Sequence, residues 1–209
     1  VCAAPGLRLA GFYSHFAAAE SDPAFTREQF GLFSRVAADL GVDPGLRHMA
    51  NSAAALRHPE MALDAVRCGI ALYGCEDDGL RPALSLSAPI TQVTDVAPGA
   101  TVGYGRTWRA GRPSRVATVG IGYEDGVLRR RSGRGYVLIS GHRAPVVGSV
   151  SMDQLTVDAT DVPGVAPGMR ATLIGEGLRA EEVAAWSETI SYEVLTALGR
   201  RVERAYRNT

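Results

Sequence analysis

Side chains able to do chemistry crowd into the first third of the chain. His15, His48 and Arg67 each fall within or just after an apolar run, and HMANS (48–52) adds Asn51 and Ser52 to the second of these. Gly69 and Ile70 follow Arg67 directly beyond Cys68. Two imidazoles, a guanidinium, a hydroxyl and a backbone glycine could together receive an anionic, ring-bearing ligand. Arg67 inside an apolar strand needs an acceptor if it is buried; His48 or a ligand ring nitrogen would serve. Ser52, directly before AAALR, reads in two ways: as a helix N-cap whose hydroxyl and following amides hold an anion, or as a plain capping serine. A lone strand-end histidine is usually structural. Recurrence on successive strands is what favours a site.

The second part of the chain contributes mainly tyrosines. VGYGRTW places Tyr104 between two glycines, IGYEDG places Tyr123 before an acidic turn, and ISYEV places Tyr192 in a helical stretch. Each reads equally as a packing residue with a satisfied hydroxyl. SVSMDQ carries Met152 and Asp153 after an apolar run, where a turn with an Asp cap is the plain alternative.

These residues need a frame, and the first 80 residues supply a βαβαβ pattern. LRLAGFYSHF (7–16) has the unbroken apolar character of a buried parallel strand. Asp22 and Pro23 give an N-cap and first-turn proline, Phe30, Phe33, Ala37 and Leu40 follow at helical spacing, and Gly41 ends the helix. LRHMA (46–50) predicts the next strand, 52–57 a short helix and AVRCGIALYG (65–74) a third strand. Ligands sit at the carboxyl ends of such strands, and in (β/α)8 barrels the last two strand-end loops commonly hold a phosphate. Ser52, Gly69 and Ile70 are placed to supply that site. Three strands cannot close a barrel. They would leave bare sheet edge and an apolar face, so this segment reads as cut from something larger.

Beyond residue 84 the pattern changes to short β-rich runs separated by APGA, SGRG, SGHR and VPGVAPG turns. This predicts an antiparallel, barrel-like domain. A broken helical segment (178–199) follows, and RVERAY is expected to form a last strand. The division expected is therefore 1–83, the end of an α/β barrel, and 84–209, a β domain.

Composition excludes several roles. Among 209 residues the formal net charge is zero and 46% are hydrophobic, with no long basic run, so no nucleic-acid partner is expected. RRR (129–131) reads as a solvated loop. No apolar stretch reaches membrane-spanning length and no signal peptide is visible. Cys2, Cys68 and Cys75 lack metal-ligand spacing, so no metal is expected and reduced cytoplasmic thiols are. All 22 Lys+Arg residues are arginine, which rules out lysine-amine chemistry on this chain.

Taken in order and spacing, SHFA, HMANSAAALRHP, VRCGIALYG, VGYGRTW, IGYEDG, SMDQL and ISYEV resemble the bacterial alanine racemase family over essentially the whole chain. The resemblance implies the last three strands of a (β/α)8 TIM-type barrel followed by a C-terminal β domain. It also implies pyridoxal 5'-phosphate as cofactor and a cytoplasmic homodimer with shared active sites that interconverts L- and D-alanine, supplying D-alanine for peptidoglycan. By the same resemblance Ser52, Gly69, Ile70 and Tyr192 would contact the cofactor phosphate. Arg67 would face the pyridine nitrogen, with His15, His48 and Asn51 around it. An arginine there does not readily protonate that nitrogen, so the ring is a weaker electron sink and transamination is limited. Tyr104 would be one of the two acid/base groups that racemisation requires, acting in the partner's site. Met152 and Asp153 would lie near the substrate carboxylate, and Tyr123 with Tyr192 at the inner mouth of the access channel.

Three positions depart from the family pattern: Glu124 replaces a usual alanine, Ser151 a common cysteine and Cys68 a common proline. The family's cofactor-anchoring lysine has no counterpart in this chain, so the chain alone is expected to be inactive. The alternatives are a related racemase of serine or broad specificity, and a non-catalytic binding or dimerising fragment.

Overall fold

Apolar runs followed by capped helices build the first part of the chain. The computed structural model describes residues 4–77 and 79–207, in two units, Val1–Arg81 and Pro82–Thr209. In the first unit β1 (Gly11–Tyr13) pairs in parallel with β2 (Leu46–His48), setting Tyr13 opposite His48. Between them runs α1 (Pro23–Asp39), whose first turn is fixed by Asp22. The Asp22 carboxylate accepts from Ala24 N at 3.1 Å and Phe25 N at 3.0 Å, with Pro23 in the first helical position as expected. Phe33 turns inward and stacks on Phe12 at 4.8 Å. Phe16, Met49, Ala50 and Met61 complete this core with Ala53 and Ala54 of α2 (Ser52–Arg57).

Two expectations need correction here. The third strand, 65–74, is reduced to an isolated parallel bridge between Asn51 and Arg67. The chain then turns at Gly69 (φ −115°, ψ −74°) into a 3₁₀ turn, Ile70–Tyr73, closed by left-handed Gly74. The apolar run carried no alternation to distinguish a strand from a buried turn, and the glycines at both ends of IALY decide for the turn. The expected last strand, RVERAY, does not form either; residues 203–207 have no regular structure. The outer flank of β2 is met by Asp64, whose N–H donates to the Arg47 carbonyl at 3.0 Å and whose carboxylate accepts from Arg47 N at 2.8 Å, while Leu46 is 59% exposed.

The second unit is built from antiparallel pairs. Its strands are β3 (Leu86–Val96), β4 (Thr101–Val102), β5 (Trp108–Arg109), β6 (Ser114–Val119), β7 (Tyr136–Ile139), β8 (His142–Val147), β9 (Leu155–Asp158) and β10 (Arg170–Ile174). Six of them close a barrel in the order β10-β3-β6-β9-β8-β7, while β4 and β5 form a separate hairpin. Alternating residues of each strand point inward: Ala117 and Val119, Val137 and Ile139, Leu155 and Val157, Ala171 and Leu173 are all fully buried or nearly so. Closure satisfies both flanks of every barrel strand, which an open sheet of this length cannot do. The helical segment is broken, as its sequence predicts, into α3 (Ala180–Trp186) and α4 (Ser191–Thr196). Trp186 packs on Tyr136 at 4.8 Å, and Gly135 is what admits it: a Cβ there would lie 2.1 Å from the indole.

The RRR stretch is also corrected. Arg129 and Arg130 are exposed, but Arg131 is 1% exposed. Its Nη2 donates to the Tyr136 carbonyl at 2.8 Å and its guanidinium lies 5.6 Å from the Trp186 ring centroid. Its Nε has no partner among the described residues. Burial pushes this guanidinium down to about 10. That shift corresponds to a cost of about 3 kcal/mol at neutral pH. The folded-state value lies below the unfolded one, so the unfolded chain holds the extra proton above pH 10. The cost is therefore constant below about 10 and fades only as pH rises through the arginine range. Arg131→Met is expected to stabilise the protein by about 1–3 kcal/mol, read from urea midpoints; a lower midpoint would show that the Tyr136 and Trp186 contacts outweigh the burial cost.

Candidate active site

In the first unit the strand ends converge on Arg67. Its Nη1 donates to His48 Nδ1 at 2.6 Å and to the His48 carbonyl at 3.2 Å. Its Nη2 donates to the Ser14 carbonyl at 2.9 Å and to His15 Nδ1 at 3.1 Å. A guanidinium has no lone pair to offer, so both imidazoles accept at Nδ1. Four of the five Arg67 N–H groups are thereby spent, and Nε–H has no partner among the described residues. The partner left open between His48 and a ligand nitrogen is thus His48 for Nη1. Tyr13 lies flat on His48, 5.3 Å away at an interplanar angle of 2°, and its ring sits 5.6 Å from Arg67 Cζ. Gln29 of α1 pins the His15 loop from the other side, donating to the His15 carbonyl at 2.8 Å and accepting from Ala17 N at 3.1 Å.

The helix-cap role expected of Ser52 falls to Asn51, whose Oδ1 accepts from Ala54 N at 3.0 Å. Its Nδ2 reaches Glu20 Oε1 at 3.4 Å. Both residue types cap helices, and adjacency in sequence could not choose between them. Ser52, 2% exposed, is thereby released from capping, and its Oγ accepts from Gly69 N at 3.0 Å and Ala71 N at 3.3 Å. Its own O–H has no acceptor among the described residues. A Cβ built on Gly69 would meet nothing within 4 Å, so the backbone at Gly69 is open on that side. Asn51→Ala should cost about 1 kcal/mol through the lost cap, measured as a lowered thermal midpoint; an unchanged midpoint would assign the cap to Ser52 after all.

In the second unit Tyr104 stands at the tip of the β4–β5 hairpin, 77% exposed. Gly103 (φ 77°) and Gly105 (φ 73°) give the tip its left-handed turns, and Ser149 Oγ donates to the Tyr104 carbonyl at 3.0 Å. Tyr104 borders an open groove of about 370 Å³ with Gly103, Ser149, Ser151, Gln154 and Thr156. Tyr123 is tied to the same loop, since its N–H donates to the Ser151 carbonyl at 3.0 Å and Glu124 N donates to the Met152 carbonyl at 3.0 Å. Gly122 permits this approach: a Cβ there would lie 2.2 Å from the Met152 oxygen. Arg201 adds a clamp, donating to Asp153 Oδ1 at 2.6 Å and Asp125 Oδ1 at 3.1 Å. The Asp153 hydrogen bond leads in holding that guanidinium above its usual value. Tyr104, Tyr123, Met152 and Asp153 thus gather around the 148–154 loop, while Tyr192 stands on α4, 37% exposed. Tyr13, Gln29, Asp125 and Arg201 escaped the sequence reading. For Asp125 a signal was present, as a carboxylate three residues after a glycine can accept from its N–H, and here it does at 3.0 Å.

Among the described residues no helix is long and apolar enough to cross a membrane, and no group of His, Cys, Asp and Glu could hold a metal ion. Cys68 and Cys75 form no disulfide among the described residues, and Cys2 lies outside them.

Fold and site together define a class: the end of an α/β barrel with a strand-end histidine–arginine site, followed in sequence by a closed antiparallel β barrel. The chain belongs to the alanine racemase family. The family model described as "Alanine racemase, N-terminal domain" matches residues 1–77, and "Alanine racemase, C-terminal domain" matches 83–206. Alanine racemase of Sorangium cellulosum is 42% identical over 97% of this chain and 58% of its own length; that of Desulfovibrio desulfuricans is 43% identical over 96% and 57%. The crystal structure of biosynthetic alanine racemase from Pseudomonas aeruginosa superposes with a TM-score of 0.91 at 40% identity, covering 100% of this chain and 60% of that one. The alanine racemase from Bartonella henselae with covalently bound pyridoxal phosphate gives 0.88 at 35% identity, covering 94% and 56%. The chain spans less than two thirds of the length of each of these relatives.

Proposed function

We propose that this chain forms part of a cytoplasmic, homodimeric alanine racemase that uses pyridoxal 5'-phosphate to interconvert L- and D-alanine. The observation carrying the reading is the Arg67 node, with four N–H groups fixed on His15, His48 and Ser14 and one left over. The donor set fits the cofactor. Ser52 O–H, beside the Gly69 amide from which its oxygen accepts, suits a phosphate oxygen, with Gly69 and Ile70 assigned to the phosphate from the resemblance, and Arg67 suits a ring nitrogen that is to stay unprotonated. His15, His48 and Asn51 hold that framework, and Tyr192 is assigned to the phosphate from the resemblance.

When bound, pyridoxal phosphate supplies an electron-withdrawing ring that lowers the cost of removing an amino acid's Cα proton. The residues of this chain do the rest. Tyr104 Oη, acting in the partner's site, holds and returns a proton on one face of Cα. The group on the other face comes from outside this lysine-free chain. Met152 and Asp153 lie, by the resemblance, near the substrate carboxylate in the partner's site, and Tyr123 narrows the approach so that a small side chain is preferred.

The test is a parallel assay of alanine, serine and lysine with this chain carried in a protein of full family length and loaded with pyridoxal phosphate. Alanine should turn over fastest. Alanine no faster than serine or lysine would replace this reading with a racemase of broader specificity, and no turnover of any of them would leave a binding role.

A further inference from the structure

Tyr13 is the large aromatic for which the proposed chemistry has no use. It is 68% exposed, on the last position of β1, where nothing in the core requires it. Its contacts are nevertheless specific. The phenol ring lies over His48 within 2° of parallel, and the Arg67 guanidinium is the second group at its face. Parallel pairing of β1 and β2 sets Tyr13 opposite His48, so the stack follows from register. A parallel stack fixes the plane of the imidazole, and the 2.6 Å bond to Arg67 Nη1 then fixes which nitrogen accepts. His48 in turn presents two acceptors to Arg67, at Nδ1 and at its carbonyl. Tyr13 therefore touches both partners of the pair that orients the guanidinium.

We infer that Tyr13 is a positioning residue: its ring face holds His48 and Arg67 in one arrangement, and so keeps the proposed cofactor on racemisation and away from transamination. This rests on the reading that Arg67 faces the cofactor ring. An arginine that swings away lets that nitrogen take a proton, and the ring becomes the stronger electron sink that transamination needs. In that side reaction the alanine amine and the cofactor's aldehyde oxygen change places. Alanine is oxidised to pyruvate as the aldehyde is reduced to the amine.

Two readouts test the inference in the family-length protein, with Tyr13→Phe, Tyr13→Leu and Tyr13→Ala. The first uses cofactor-free protein and long-range ¹⁵N–¹H correlation spectra of the His48 ring. The unsubstituted protein and Tyr13→Phe should show the single tautomer protonated at Nε2, whereas Tyr13→Leu and Tyr13→Ala should show a mixture. The second counts pyruvate formed per racemisation turnover, which should rise about tenfold in the Leu and Ala variants and stay level in Phe, the size typical of losing a group that orients a ligand-facing side chain. An unchanged His48 tautomer and pyruvate count in Tyr13→Leu would overturn the inference, as would Tyr13→Phe behaving like Tyr13→Leu. Should Tyr13→Ala fail to fold, the Phe and Leu pair still decides. Failure of the cofactor reading shows itself differently, as no pyridoxal phosphate bound by the unsubstituted protein, and leaves the tautomer test standing.

Discussion

On the proposed function, replacing Tyr104 by phenylalanine in the family-length protein is expected to lower alanine racemisation by about 10² or more, the range for removal of a general acid/base. The substitution deletes one oxygen from a side chain that is 77% exposed, and the bond that ties this residue to Ser149 runs through its backbone carbonyl. Folding and the β4–β5 hairpin should therefore survive, so the rate reports on the hydroxyl alone. Mirror-image substrates have equal free energy, so kcat/KM must fall by the same factor in both directions. The asymmetry appears in isotope exchange. In D₂O, one enantiomer should wash out its Cα hydrogen with configuration retained, because the group on the other face still works, while its mirror image exchanges far more slowly. A small loss of rate with symmetrical exchange would remove Tyr104 from this role.

The second large effect is structural. Gly122→Ala is expected to destabilise the second unit by about 3 kcal/mol or more, combining overpacking with lost hydrogen bonds. The added Cβ would lie 2.2 Å from the Met152 oxygen and 2.4 Å from the Ser151 oxygen, and both are backbone atoms that cannot rotate away. Relief requires the 148–154 loop to separate from the 122–126 turn, which breaks the Tyr123–Ser151 and Glu124–Met152 bonds. Chemical denaturation gives the stability change. A variant within about 0.5 kcal/mol of the parent, the ordinary range for surface changes, would mean that the loop yields freely. Tyr123 and Met152 move apart in this variant, so activity should fall as well.

Much of the frame was legible because local chemistry and tertiary structure agree. Asp22-Pro23 announced α1, and glycine-rich turns bounded the six barrel strands. The failures share a cause, which is information held by partners distant in sequence. AVRCGIALYG looked like a strand because apolarity without alternation is silent on conformation, and only the Asn51–Arg67 bridge formed. RVERAY had β character but pairs with no strand among the described residues. Arg131 was read as solvated from its charge and is buried against Trp186, which lies 55 positions on in sequence. At the site, residue types and strand-end positions pointed to His15, His48 and Arg67, whereas the Tyr13 stack depended on the register of β1 against β2. The meeting of Tyr123 with Met152 depended on a glycine whose need is visible only once two loops lie side by side.

The closed barrel also bears on how this lineage can change. A ring of six strands admits no seventh at its flank, and losing one opens it, so inheritance must keep the ring and experiment with its connections. Those connections are where Tyr104, Tyr123, Met152 and Asp153 stand. The hydrogen bonds between the 122–126 and 148–154 connections bind two of them into one heritable block, since a length change in either would strand the other. Divergence among descendants should thus proceed by joint exchange of these two connections, with the β4–β5 hairpin bearing Tyr104 held to the same loop through Ser149.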